Sequence, residues 1–146
     1  MLSTSFKGHP IHPILVVLPL GLWTFALVCD IAALLGGGPG WQATALYVTG
    51  GGVVGALLAA IPGLIDLLAI TDAKVRRIAI WHMVLNLLAV AIFAVVFWLR
   101  WQAPDSRAAM LLTLLGVLAI GRSGWLGGEM VYRHGMGVQQ RRSSES

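Results

Sequence analysis

Charge is scarce in this chain of 146 residues: Asp, Glu, Lys and Arg together make up 11%, against about 25% in an ordinary soluble domain. A water-soluble globule of this size could not cover its surface with so few polar groups. Cysteine is nearly absent too. Cys29 stands alone, which excludes an internal disulfide framework. The formal net charge of +4 comes without a dense Lys/Arg block or an aromatic platform, so nucleic acid is not an expected partner. There is no HExxH, no CxxCH and no Gly-rich phosphate loop following a strand, and no strands are expected at all. Ser123 is merely a hydroxyl beside Arg122, without the base that activates a nucleophile. These absences lean away from an enzyme. What remains plentiful is apolar residues, 58% of the chain, with a mean hydropathy of +0.83.

That apolar content falls into four runs, about 13–35, 43–70, 78–99 and 108–132. Each is long enough to cross a hydrocarbon core, which takes roughly 20 mainly apolar residues. Short breakers separate them: Gly36 to Gly40, Thr71-Asp72, and Gln102 to Ser106, with Asp72 and Ser106 suited to cap the helices that follow. Short connections make neighbouring helices antiparallel. The expected fold is all-α, a polytopic membrane protein built as one antiparallel bundle of four transmembrane helices over residues 1–138. A polar tail follows at 139–146. The first run is too long for a signal-peptide core and lacks an A-x-A site after it, so cleavage is not expected.

Basic residues set orientation. Lys7, Lys74, Arg76, Arg77, Arg133, Arg141 and Arg142 fall on the side of the two termini, and only Arg100 and Arg107 on the other. Both termini are therefore expected in the cytoplasm, with the chain multi-pass in the inner membrane. Trp41, Trp98 and Trp101 near one boundary, and Trp81 and Tyr132 near the other, read as interfacial anchors.

Ionisable groups inside the bilayer need a reason, since each costs about 2.5–3.5 kcal/mol at its centre on insertion scales. Asp66, His82, Arg122 and Glu129, with His9, His12 and His134 at helix ends, all fall in the half nearest the termini. Asp30 alone is at the other end, close enough to the interface to be hydrated. His82 and Asn86 form an i, i+4 pair on one face, and Arg122 and Glu129 share another; Arg122 with Glu129 or Asp66 is a candidate buried pair. Gly51, Gly55, Ala59 and Gly63 form a ridge that permits close helix approach. Pro19 and Pro62 are expected to interrupt their helices and free carbonyls, and Pro13 to occupy the first helical position of a start that presents His9 and His12. No inverted repeat is evident.

The stretches GHPIHPILVVLPLGLW (Gly8 to Trp23) with Asp30, GLIDLL (Gly63 to Leu68), RRIAIWHMVLN (Arg76 to Asn86) and SGWLGGEMVYRHGMGV (Ser123 to Val138) resemble the DUF2231 family of small bacterial and archaeal membrane proteins. The resemblance implies a four-span membrane protein of undefined biochemical role. It maps the family's motif positions onto His9, His12, Asp66, His82, Glu129, Tyr132 and His134. Relatives joined to Rieske-type domains imply a redox neighbourhood.

Two chemical expectations follow. The first is a redox-associated bundle that binds haem b or a quinone through His9, His12, His82, Arg122 and His134, with His82 and His12 or His9 as the axial pair. Asp66, Asn86 and Glu129 would support it. The second is a divalent-metal site of His9, His12, His82 and His134. A third, non-chemical reading is an accessory or scaffold subunit packed against a larger membrane complex. Expected partners are the lipid bilayer, a redox or other membrane protein, and a second copy of the chain.

Overall fold

The computed structural model describes residues 4–6 and 9–138. The polar tail, with Arg141 and Arg142, and Lys7 lie outside the described residues. Four helices carry the chain: α1 (Ile11–Leu34), α2 (Pro39–Leu68), α3 (Ala73–Gln102) and α4 (Arg107–Tyr132). All four are long and apolar enough to cross a membrane. Asp72 accepts from the Val75 N–H at 2.9 Å and Ser106 from the Ala109 N–H at 3.3 Å, so both expected caps are in place.

The boundaries depart from expectation at both ends of α3, which runs beyond 78–99, and at the starts of α1 and α2. α2 begins at Pro39, inside the supposed breaker, because proline suits the first helical turn and Gly38 turns the chain at φ 80°. α1 begins at Ile11, which leaves Pro13 as the third helical residue; its missing N–H is still one of the orphans of the first turn. His9 is not helical. A two-stranded hairpin, β1 (Ser5–Phe6) with β2 (His9–Pro10), precedes α1. It is tied down by the Ile11 N–H donating to the Thr4 carbonyl at 2.9 Å. Nor do the internal prolines break their helices: α1 runs through Pro19 and α2 through Pro62.

The bundle is small inside and large outside. Ala26, Ala45, Ala59, Ala89 and Ala109 are buried, while Val54, Leu57, Leu58, Leu111, Leu118 and Trp125 face outward. That inversion suits lipid, where helices associate through close backbone approach and not through hiding apolar bulk. The glycine ridge of α2 does this against α1. A Cβ on Gly55 would meet Leu18 and Pro19 at 3.1–3.3 Å, and one on Gly52, next to the ridge, would come within 2.3 Å of the Trp23 indole.

The interior repeats itself. Buried Pro19, Trp23, Ala26 and Asp30 of α1 correspond, 70 residues on, to buried Ala89, Phe93, Val96 and Arg100 of α3. At a second constant offset, Ala45, Thr49, Gly52 and Ala59 of α2 correspond to Ala109, Thr113, Gly116 and Ser123 of α4, all buried. The likeness extends to contacts. Gly52 receives Trp23, and Gly116 receives Phe93. Thr49 Oγ1 donates back to the Ala45 carbonyl at 2.6 Å, as Thr113 Oγ1 does to Ala109 at 2.9 Å.

Counterparts also meet each other, which is the mark of a two-fold axis. Trp23 stacks on Phe93 with centroids 4.1 Å apart, His12 lies against His82 at 6.1 Å, and Asp30 meets Arg100. The protein is thus two helical hairpins, α1–α2 and α3–α4, related by a pseudo-two-fold axis along the bundle. This is a parallel repeat, distinct from the inverted kind sought in the sequence.

Candidate functional site

Two polar layers lie on this axis. The one far from the termini was not foreseen. Arg100 Nη2 donates to Asp30 Oδ2 at 2.7 Å and to Thr113 Oγ1 at 2.8 Å. Asp30 is 3% exposed and Arg100 1%. The expectations of a hydrated Asp30 and a loop-borne Arg100 are therefore corrected. Each charge is costly alone in an apolar interior, and the ladder of contacts across the axis gives each its partner.

The layer nearest the termini is built on histidines. His82 Nδ1 lies 2.8 Å from the Ser123 carbonyl. A carbonyl only accepts, so Nδ1 carries a proton, and in the neutral ring Nε2 carries the lone pair. That lone pair accepts from Asn86 Nδ2 at 2.9 Å. The Asn86 Oδ1 in turn accepts from Ser123 Oγ at 2.8 Å. The expected i, i+4 pair is present, and Ser123, absent from the expected site residues, completes it. Every ring nitrogen of His82 is spent.

His12 is seated in the same way on the other hairpin. Its Nδ1 lies 2.8 Å from the Ala59 carbonyl, and Ala59 is the counterpart of Ser123. Both imidazoles dock where a neighbouring helix carries glycine. A Cβ on Gly63 would come within 2.8 Å of His12 Nδ1, and one on Gly127 within 3.3 Å of His82 Cε1. There the resemblance between the halves ends. The residue one turn on from His12, at the register of Asn86, is Val16, and Ala59 has no hydroxyl. Among the described residues, Nε2 of His12 has no hydrogen-bond partner.

The remaining expected site residues are dispersed. Asp66 Oδ1 accepts from the Thr4 N–H at 2.7 Å and from Thr4 Oγ1 at 2.6 Å, so it anchors the segment that leads into the hairpin. Glu129 pairs with Arg133 at 3.6 Å on the surface. Neither is paired with Arg122, which is exposed and lines an outward groove with Arg77 and Trp81. His9 is exposed and His134 half-buried. Among the described residues no three of His, Cys, Asp and Glu are grouped to hold a metal ion, so the four histidines do not converge. Only His12 and His82 meet.

The four apolar helices agree with a comparison against known families. Residues 8–140 match the family described as a predicted membrane protein, DUF2231. The chain belongs to the DUF2231 family. No curated protein and no solved structure matches it. The DUF2231 match takes in both hairpins and both polar layers. It is an integral membrane protein.

Proposed function

We propose that this DUF2231 protein is a redox-associated membrane bundle that holds a quinol headgroup at His12, in the layer nearest its termini. The reading rests on one asymmetry between equivalent histidines. Asn86 and Ser123 close the ring of His82, whereas Val16 and Ala59 leave Nε2 of His12 unpartnered. With Nδ1–H given to the Ala59 carbonyl, Nε2 of the neutral ring is a fixed acceptor. A hydroxyl on a flat, lipid-soluble ring is the complementary donor, and such a ligand reaches the bundle through the bilayer.

The same geometry weighs the other expectations. Haem b held between His12 and His82 needs a free lone pair on both rings, and that of His82 is taken by Asn86. A divalent-metal site needs more donors than His12 brings together with it. An accessory subunit without chemistry would leave the open nitrogen without use. The redox partner in the proposed reading is another membrane protein that shares the quinol. Both termini are assigned to the cytoplasm of the inner membrane. Arg100 is withdrawn into the bundle, so among the described residues Arg107 alone opposes Lys74, Arg76, Arg77 and Arg133.

The test uses the purified chain in lipid nanodiscs, titrated with a short-chain naphthoquinol and followed by calorimetry. Saturable binding is expected, lost both in His12→Ala and in Val16→Asn, which installs on α1 the amide that closes His82. Binding that survives Val16→Asn and His12→Ala would overturn the assignment. A Soret band in the protein isolated from haem-replete cells would favour haem instead.

A further inference from the structure

A groove of about 430 Å³ runs between α3 and α4 toward the terminal end of the bundle, lined by Arg77, Ile78, Trp81, Leu85, Arg122 and Leu126. Its floor is apolar. Its two cations have no carboxylate partner among the described residues, where the ion pairs are Arg100–Asp30 and Arg133–Glu129. Arg122 is the unusual one. Its Cα lies about 15 Å along the axis from Tyr132, where α4 ends, at about 1.5 Å per residue. A guanidinium at that depth on an outward face is costly unless it reaches an interface or a counter-charge.

The pseudo-two-fold axis supplies an internal control. The counterpart of Arg122 on α2 is Leu58, which is 53% exposed. The counterparts of Trp81 and Leu85 are Ile11 and Leu15, and that of Leu126 is Pro62. The same groove on the other hairpin is therefore floored and rimmed by apolar residues at these positions. The fold takes leucine at this register, so packing does not require the arginine.

We infer that the groove binds an anionic glycerophospholipid, its phosphate held between Arg77 and Arg122 and an acyl chain laid along Ile78, Leu85 and Leu126. Guanidinium groups match phosphate oxygens by paired N–H donation, and basic pockets between transmembrane helices are suited to acidic headgroups. Trp81, 56% exposed, lies one turn from Arg77 and suits the headgroup level. At the register of Arg77 the first hairpin has Lys7, outside the described residues, so Arg122 is the cation that sets the second hairpin apart.

Native mass spectrometry of the full chain, released from nanodiscs of equimolar phosphatidylglycerol and phosphatidylcholine, tests this. The wild type should retain phosphatidylglycerol preferentially, and Arg122→Leu and Arg77→Gln should each reduce that preference about fivefold. Arg107→Gln, at the opposite end, should leave it unchanged. Arg122→Leu copies the residue its counterpart helix already carries, so an unchanged unfolding midpoint is expected alongside the lost preference. Equal retention of the two lipids by the wild type would overturn the inference without any variant. Displacement of the lipid by inorganic phosphate would overturn it too, since the acyl chain is part of the contact.

Discussion

Removing either partner of the Asp30–Arg100 pair should destabilise the bundle, and exchanging them should restore it. Both side chains are almost fully enclosed, at 4% and 2% exposure, so neither charge can find water when its partner is lost. Asp30→Ala leaves Arg100 with Thr113 and a buried Nε that has no partner even in the wild type. Breaking a buried pair of this kind costs about 3–5 kcal/mol, and Arg100→Ala should cost a similar amount. The exchange Asp30→Arg with Arg100→Asp is different because the two positions are related by the pseudo-two-fold axis. An arginine on α1 would face α2 as Arg100 faces α4, and there Thr49 stands at the register of Thr113. Thr49 makes the same hydroxyl bond to its own helix, to Ala45, so its oxygen is held in an equivalent place. The double exchange should recover all but about 1 kcal/mol, the scale of one interhelical hydrogen bond in a membrane protein. Reversible unfolding in mixed micelles, analysed as a double-mutant cycle, measures the coupling. If the exchanged protein were as unstable as either single variant, the two-fold relation would not describe this layer. If the single variants were harmless, the pair would not be buried as the structure has it.

Gly63→Ala should destabilise more than Gly127→Ala, because its Cβ would come within 2.8 Å of His12 and not 3.3 Å of His82; a cost of about 1–3 kcal/mol is expected for the first in the same unfolding assay. Asn86→Val copies Val16 onto the second hairpin and should cost about 0.5–1.5 kcal/mol for the lost interhelical network, with the His82 ring nitrogen signals moving in NMR spectra of labelled protein. Asp66→Ala removes the acceptor of both Thr4 bonds and should expose the segment around Thr4 to proteolysis while the helix content by circular dichroism stays unchanged. In the proposed orientation, a cysteine at Lys74 should be labelled from the cytoplasmic side of membrane vesicles and one at Asp105 from the other; the reverse pattern would invert the orientation. Cys29 is buried and should stay silent in that assay.

The local features of the fold were legible because each rests on residues close in sequence. Run length marked four spans, Asp72 and Ser106 marked two helix starts, and the i, i+4 spacing paired His82 with Asn86. The ridge through Gly51, Gly55, Ala59 and Gly63 announced a close neighbour on α2, and α1 is that neighbour. The Asp30–Arg100 pair was not legible, since position along the helices placed both near an interface and nothing local ties residues 70 apart. Its signal existed in another form. His12 and Asp30 have the spacing of His82 and Arg100, and Ala45, Thr49, Gly52 and Gly63 have that of Ala109, Thr113, Gly116 and Gly127. That signal is a parallel repeat, at offsets of 70 and 64 residues. Few identities survive, because alanine, glycine and leucine recur throughout a membrane chain and carry little register information. The hairpin at Ser5–Phe6 and His9–Pro10 escaped for a different reason: two-residue strands have no period, and this one is held by Thr4 contacts to Asp66 and Ile11.

The repeat also changes how the polar residues should be weighed. In a bundle of two like hairpins, packing requirements apply twice, so a polar residue whose counterpart is apolar is not demanded by the packing common to both halves. Paired positions such as His12 and His82, Thr49 and Thr113, or Gly52 and Gly116 serve the architecture shared by both halves. Besides Thr24, Asp66 and Glu129, whose counterparts are Ala94, Met130 and Ile65, three unpaired polar residues are Asn86 against Val16, Ser123 against Ala59 and Arg122 against Leu58. Two of these complete the His82 network and so leave His12 as the open imidazole. The third places a cation on the lipid face of the same hairpin. Function in this protein is therefore sought where its halves differ. Replacing all three by their counterparts, Asn86→Val, Ser123→Ala and Arg122→Leu, makes the halves alike at those registers. The bundle should remain folded, since each replacement already stands in the other hairpin at the same packing position. Nε2 of His82 should then be as free as that of His12, and the lipid preference should be gone. Loss of the helical fold in this variant would mean that the three residues support structure after all.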